Sequence, residues 1–134
     1  MTPKGIDLLK QFEGFRDSPY RDAAGVLTVG YGTTFPLSEV EATLLLNSRM
    51  ADFEAELHNL IVVPLSPNKW DAVASLVYNI GTAAFQTSHL RYLINHQASN
   101  NEIAYEWEKW AHAGGKVLPG LVSRRKAEVA LWES

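Results

Sequence analysis

Two carboxylic acids and one hydroxyl lie close together in the first thirty residues of the chain. Glu13 directly follows Phe12, Asp22 lies nine positions later, and Thr28 lies six positions after that. Hydrolysis of a glycosidic bond needs one protonated carboxyl that donates to the leaving oxygen, and one ionised carboxylate that activates water or stabilises an oxocarbenium-like transition state. The three residues are therefore the candidate catalytic group, although each of them alone also fits an ordinary structural role.

The segment before Glu13 is predicted to be a helix. Thr2 and Pro3 are typical of an N-cap and a first helical residue, and apolar residues then recur at helical spacing up to Gly14. The C-terminal end of a helix carries partial negative charge, and burial beside Phe12 would disfavour the ionised form, so both effects are expected to raise the pKa of Glu13. Both favour a proton donor at this position.

Residues 20–29 are predicted to form a small β-hairpin, the only convincing β region of the chain. A strand ending at Asp22 is followed by the turn residues 23–25 and by the β-branched run that contains Thr28. The hairpin would bring Asp22 and Thr28 near each other across its strands. Gly30 and Gly32 would then let the backbone approach a ligand closely.

The rest of the chain is predicted to be helical with short connections. A long amphipathic helix starts at a capping box formed by Ser38 and Glu41 and ends before Pro64. A central buried helix starts at Ser66 and Pro67 and ends at Gly81. Further helices are predicted at 88–95, 101–111 and 120–132, with Gly114 and Gly115 in a connection.

Composition excludes several other kinds of protein. The 134 residues suit one domain, and the net charge of −3 gives no general attraction to nucleic acid. The chain has no cysteine, and its four histidines have no metal-ligand spacing, so we expect neither a metal site nor another cofactor. No apolar run is long enough to span a membrane or to act as a signal peptide.

Several motifs together resemble the phage-type lysozymes or endolysins of glycoside hydrolase family 24. These are the spacing of Glu13, Asp22 and Thr28, the Thr-Val-Gly-Tyr-Gly stretch at 28–32, Asn-Ile-Gly at 79–81, and the segment 113–128. The resemblance extends over essentially the full length.

The resemblance implies an α+β, lysozyme-like fold that forms a single catalytic domain over 1–134. A hairpin lobe at about 14–36 would be joined by the long helix to a helical lobe at about 62–134, which includes the helix 3–13. The glycan would lie between the lobes. It also implies a muramidase that cleaves the β-1,4 bond between N-acetylmuramic acid and N-acetylglucosamine in peptidoglycan.

The resemblance assigns a role to each candidate catalytic residue. Glu13 would be the general acid, Asp22 would act on the opposite face of the sugar, and Thr28 would help to hold the attacking water. Relatives mostly invert the anomeric configuration, which suits a Thr that fixes a water beside the Asp. The candidate substrate-binding residues are Tyr31, Tyr78, Ser88 and Arg125.

Two features depart from the family pattern. Thr33 stands where several relatives have a His, so a His–carboxylate pair that braces the hairpin lobe would be absent or replaced. The chain is acidic where many relatives are basic, so attraction to an anionic wall would depend on local charge. Lys116, Arg124 and Arg125 are the candidates for this. The basic run at 124–126 also fits a solvated helix face or structural ion pairs, with Arg125 as the member expected to reach Glu13 or substrate.

Two alternative functions remain open from the sequence. A lytic transglycosylase has the same fold but uses a single Glu, and a degenerate lysozyme could bind the wall without cleaving it. The Asp22 and Thr28 pair argues against the first, and the presence of all three candidate catalytic residues argues against the second. Without a signal peptide, the protein is expected to be made in the cytoplasm of a host bacterium, to depend on a holin for release, and to act on the cell wall as a monomer.

Overall fold

The computed structural model of the protein describes residues 1–13, 20–21, 27–28 and 39–134. The elements in these ranges are α1 (Pro3–Glu13), β1 (Tyr20–Arg21), β2 (Leu27–Thr28), α2 (Glu39–Leu60), α3 (Pro67–Ile80), α4 (Thr82–Gln86), α5 (His89–Asn95), α6 (Asn100–Glu108), β3 (His112–Ala113), β4 (Lys116–Val117) and α7 (Pro119–Trp132). The mostly helical prediction is confirmed. The short helix α4 was not predicted, and α6 ends earlier than expected.

Helix α3 is the centre of the core, as its sequence predicts. The Ser66 hydroxyl accepts a hydrogen bond from the Lys69 backbone N–H, Pro67 is the first helical residue, and Gly81 ends the helix with φ +93°. Every residue from 71 to 77 is buried. Helix α3 packs against α1, α2, α4 and α7, so it is the common support of the helices around it.

Helix α1 is fastened to α3 at its first turn. The Thr2 backbone N–H and hydroxyl both donate to the buried Asp71 carboxylate, at 2.9 and 2.5 Å, and the Thr2 hydroxyl accepts from the Gly5 N–H. The predicted start of this helix at Thr2 and Pro3 is thereby confirmed. Gly5 is required because a Cβ there would lie 2.5 Å from Cγ of Asp71.

Helix α2 has 22 residues and is therefore about 33 Å long. Its C-terminal end is capped by α5, since the Leu60 carbonyl accepts from Arg91 Nε and Asn95 Nδ2, each at 2.9 Å. The predicted end before Pro64 is confirmed. Ser38, the proposed N-terminal cap, lies outside the described residues.

The described residues form two short hairpins where the sequence predicts one. In the first, β1 and β2 pair antiparallel, with Tyr20 opposite Thr28, as expected. In the second, β3 and β4 pair around Gly114 and Gly115, whose φ angles are +60° and +77°. The prediction of a single β region was wrong. A strand of two residues shows too little alternation of apolar and polar side chains to indicate a strand, and a pair of glycines also fits a connection between two helices. Two consecutive residues with positive φ are the mark of a tight hairpin turn.

Candidate active site

Glu13 is the last residue of α1, as predicted, and the structure describes it through its backbone. The helix that leads to it is held by the Thr2–Asp71 bonds at its start and by the fully buried Leu9 in its middle. Glu13 is therefore the last backbone position of an anchored helix and not part of a free loop. Such anchoring suits a catalytic group, because its position must be reproducible.

The hairpin residues are partly described. Thr28 lies in β2 and its backbone pairs with Tyr20. Asp22 and Tyr31 lie outside the described residues. The strand pairing on which the predicted proximity of Asp22 and Thr28 depends is therefore present, and that proximity stays a prediction.

Tyr78 lies near the C-terminal end of α3 and is partly exposed. Its ring meets that of Phe53 from α2 edge to face, with the ring centres 5.9 Å apart. Tyr78 also lines an open cavity of about 330 Å³ whose rim carries Asp52 and Glu56. The residue is thus placed where a ligand could reach it, and its predicted role in substrate binding stays a prediction.

Ser88 caps α5. Its hydroxyl donates to the Phe85 carbonyl at 2.7 Å and accepts from the Arg91 N–H at 3.1 Å. It lines a different cavity from Tyr78, one of about 420 Å³ beside Arg91 and Tyr92. Both of its hydrogen bonds are structural, so the structure gives the predicted contact with substrate no support of its own.

Arg125 is completely buried. Its Nε lies 2.7 Å from Glu128 Oε1, one terminal nitrogen donates to Glu128 Oε2 at 3.2 Å, and the other donates to the Trp110 carbonyl at 3.0 Å. These contacts favour the structural ion pair that the sequence left open. The predicted contact of Arg125 with Glu13 or substrate stays a prediction.

A buried polar cluster surrounds Glu128, and we call it the Glu128 cluster. The carboxylate receives hydrogen bonds from Ser75 of α3 (2.5 Å), Trp107 of α6 (3.1 Å) and Arg124 of α7 (3.2 Å), in addition to the one from Arg125. All five residues are at most 4% exposed. The cluster thus joins three helices through one carboxylate.

The Glu128 cluster extends to the end of α1. The guanidinium carbon of Arg124 lies 5.2 Å from the ring centre of Phe12, the residue before Glu13. Sequence reasoning missed this link because it depends on how α1 and α7 pack. The spacing of Arg124 and Arg125 from Glu128, four and three positions along one helix, was a signal that could have revealed the ion pairs.

The described residues contain neither a cluster of metal ligands nor a membrane-spanning helix. Over the part of the chain that the structure describes, no group of three or more His, Asp or Glu side chains could hold a metal ion. No helix within the same ranges has the length and apolar character needed to cross a bilayer.

Known proteins resemble the chain along its whole length. The sequence matches the phage lysozyme family over residues 10–128. It is 41% identical to the endolysin of Acyrthosiphon pisum secondary endosymbiont phage 1, over an alignment that covers 100% of this chain and 98% of the relative.

Solved structures agree with this match. The muramidase domain of SpmX from Asticaccaulis excentricus superimposes with a TM-score of 0.86 at 28% identity, covering 99% of this chain and 97% of that one. The endolysin from Escherichia coli O157:H7 phage FAHEc1 gives 0.85 at 30% identity, covering 98% and 91%. The lysozyme-like α+β fold and the glycosidase class predicted from the sequence are confirmed. The chain therefore belongs to the phage lysozyme family.

Proposed function

We propose that this lysozyme cleaves the β-1,4 bond between N-acetylmuramic acid and N-acetylglucosamine in peptidoglycan, with Glu13, Asp22 and Thr28 as the catalytic residues. The observation that carries the proposal is the family match, which runs from residue 10 to residue 128 and so includes all three. The position of Glu13 at the end of an anchored helix, with the β1–β2 hairpin following it in the sequence, supports it.

The proposed reaction is a single displacement. Glu13 donates its proton to the glycosidic oxygen while the bond to the anomeric carbon breaks. Asp22 takes a proton from a water that Thr28 holds, and that water attacks the anomeric carbon from the opposite face. Glu13 ends ionised and Asp22 protonated, and exchange with solvent restores both.

This mechanism predicts an inverted product. The two carboxyl groups of an inverting glycosidase lie about 6.5–9.5 Å apart to leave room for the water, against about 5–5.5 Å in a retaining enzyme. Proton NMR of the first product gives its anomeric configuration directly. A product with the original configuration would rule out the water-holding role of Thr28.

The two alternatives are not favoured by the comparisons, since the relatives are endolysins and muramidases. Mass spectrometry separates the first alternative from hydrolysis, because hydrolysis adds one water to each cut whereas a transglycosylase leaves an anhydro sugar. Loss of turbidity by permeabilised cells separates the second, because a binding module would leave the cells intact.

Glu13→Gln is the decisive substitution. It retains size and polarity but removes the donated proton, so turnover should fall by about 10²–10⁴-fold, the contribution typical of general acid catalysis. Turnover is measured as the initial rate of muropeptide release.

Glu108→Gln is the matched control for this experiment. Glu108 is an exposed glutamate that is also the last residue of its helix, and its substitution should leave turnover unchanged. Activity of Glu13→Gln within threefold of the unmodified protein would exclude Glu13 as the acid.

The proposal extends to the setting in which the enzyme acts. Endolysin relatives support the cell wall as the site of action. We propose that a single copy of the chain is active and that a holin releases it to the wall. Sedimentation of the purified protein and expression with and without a holin test these two points.

A further inference from the structure

The Glu128 cluster contacts the end of α1 through the side chain of Arg124. Arg124 is 4% exposed, and its contacts fix its guanidinium from several directions. Nε donates to Glu128 Oε2 at 3.2 Å, and one terminal nitrogen donates to the Ser75 carbonyl at 3.0 Å. The flat group is thereby held between α3 and α7.

The ring of Phe12 lies against this fixed group. The distance of 5.2 Å between the guanidinium carbon and the ring centre is within the range of a cation–π contact. A planar guanidinium, unlike an ammonium, can stack on an aromatic ring while its edge makes hydrogen bonds. Arg124 can therefore bind Glu128 and Ser75 and still support Phe12.

The position of Phe12 gives this contact a consequence for catalysis. Phe12 is the residue before Glu13, in the last turn of α1, where intrahelical hydrogen bonding is incomplete. The bonds of Thr2 to Asp71 hold the other end of α1, about 15 Å away along the helix axis. The contact of Arg124 with the Phe12 ring adds a hold within the last turn itself.

We propose that Arg124 is a positioning residue for Glu13, acting through the ring of Phe12. The proposal depends on the role of Glu13 as general acid. Arg124, locked onto Glu128 and Ser75, holds the Phe12 ring and so sets the place and direction from which Glu13 donates its proton. Misplacement of a catalytic group by a distance near 1 Å can cost about 10²-fold in rate.

A double-mutant cycle on kcat tests this proposal. Arg124→Met keeps an unbranched side chain in the core, and Glu128 retains Ser75, Trp107 and Arg125 as partners. Arg124→Met and Phe12→Leu should each lower kcat by about 10- to 100-fold while KM changes less than about threefold. The double variant should be no slower than the slower single variant, because both changes release the same contact.

Three further variants make the outcome specific. Lys126→Met removes an exposed cation from the same helix and should leave kcat unchanged. Arg124→Lys keeps the charge but loses the planar stack, and should recover only a small part of kcat. Phe12→Leu combined with Arg124→Lys provides a second cycle if Arg124→Met does not fold, as judged by circular dichroism and thermal unfolding.

Additive losses of kcat in the cycle would overturn the proposal, as would full recovery by Arg124→Lys or an equal loss in Lys126→Met. Glu13→Gln is assayed in parallel to keep the two proposals apart. If it is inactive and the cycle is additive, only the positioning role fails. If Glu13→Gln remains active, the acid assignment itself fails.

Discussion

Glu128 is a buried carboxylate that connects three helices through its hydrogen bonds. It has no access to solvent, yet its two oxygens are met by a hydroxyl, an indole N–H and two guanidinium groups. Removing a carboxylate from water is costly, and this cost is offset only when the hydrogen bonds around the ion are complete. The donors come from α3, α6 and α7, so the same bonds that satisfy Glu128 also hold these helices together.

Replacing Glu128 by Gln should therefore destabilise the protein strongly. The substitution leaves two buried guanidinium groups without their shared carboxylate, and breaking a buried ion pair typically costs about 3–5 kcal/mol. Urea unfolding followed by circular dichroism gives the free energy of unfolding. Glu133→Gln, at an exposed position next to the end of α7, is the control and should change it by less than about 0.5 kcal/mol. A comparable small change in Glu128→Gln would mean that the cluster contributes little to stability.

At the scale of elements, the position of α1, the helix that ends in Glu13, depends on how closely its first turn approaches α3. Gly5 and Asp71 meet at the first turn of α1, where the missing side chain of Gly5 makes room for the carboxylate that binds Thr2. This contact holds the first turn of α1, and the contact between Arg124 and Phe12 lies at its last turn, next to Glu13. A change at Gly5 therefore alters the helix as a whole.

Gly5→Ala tests the close approach. A glycine-to-alanine change inside a helix normally stabilises by up to about 1 kcal/mol, but here the new Cβ would lie 2.5 Å from the Asp71 carboxyl carbon. The carboxylate must move away and lose its bonds to Thr2, so we expect a net loss of about 1–3 kcal/mol. The control is Gly120→Ala in α7, where a Cβ meets no atom within 4 Å. Equal effects of the two substitutions on thermal unfolding would contradict the tight contact.

Local signals in the sequence predicted most elements correctly. Ser66, Pro67 and Gly81 mark both ends of α3, and Thr2 with Pro3 marks the start of α1, because caps are read from side chains adjacent in sequence. The β3–β4 hairpin and the link from Arg124 to Phe12 were missed. The first has strands too short for a pattern, and the second joins residues more than a hundred positions apart, whose meeting depends on tertiary packing alone.

At the scale of the whole molecule, net charge affects the rate at which the enzyme encounters the cell wall. With −3 overall, the chain gains no long-range attraction to an anionic wall, and two of its cations, Arg124 and Arg125, are buried in the Glu128 cluster. Of the three candidates for wall attraction, only Lys116 is thus exposed. Encounter with the wall should therefore depend on diffusion and on short-range contacts with the substrate.

The initial rate of wall lysis should therefore depend only weakly on salt. Between 50 and 200 mM NaCl we expect it to change by less than about twofold, since there is no long-range attraction for the salt to screen. Glu102→Lys combined with Glu108→Lys is the informative comparison, because both positions are exposed on α6 and the net charge rises from −3 to about +1. This variant should lyse faster at low salt and lose the advantage as salt increases. A steep fall in the rate of the unmodified protein over the same range would instead mean that a local basic surface, and not diffusion alone, brings the enzyme to the wall.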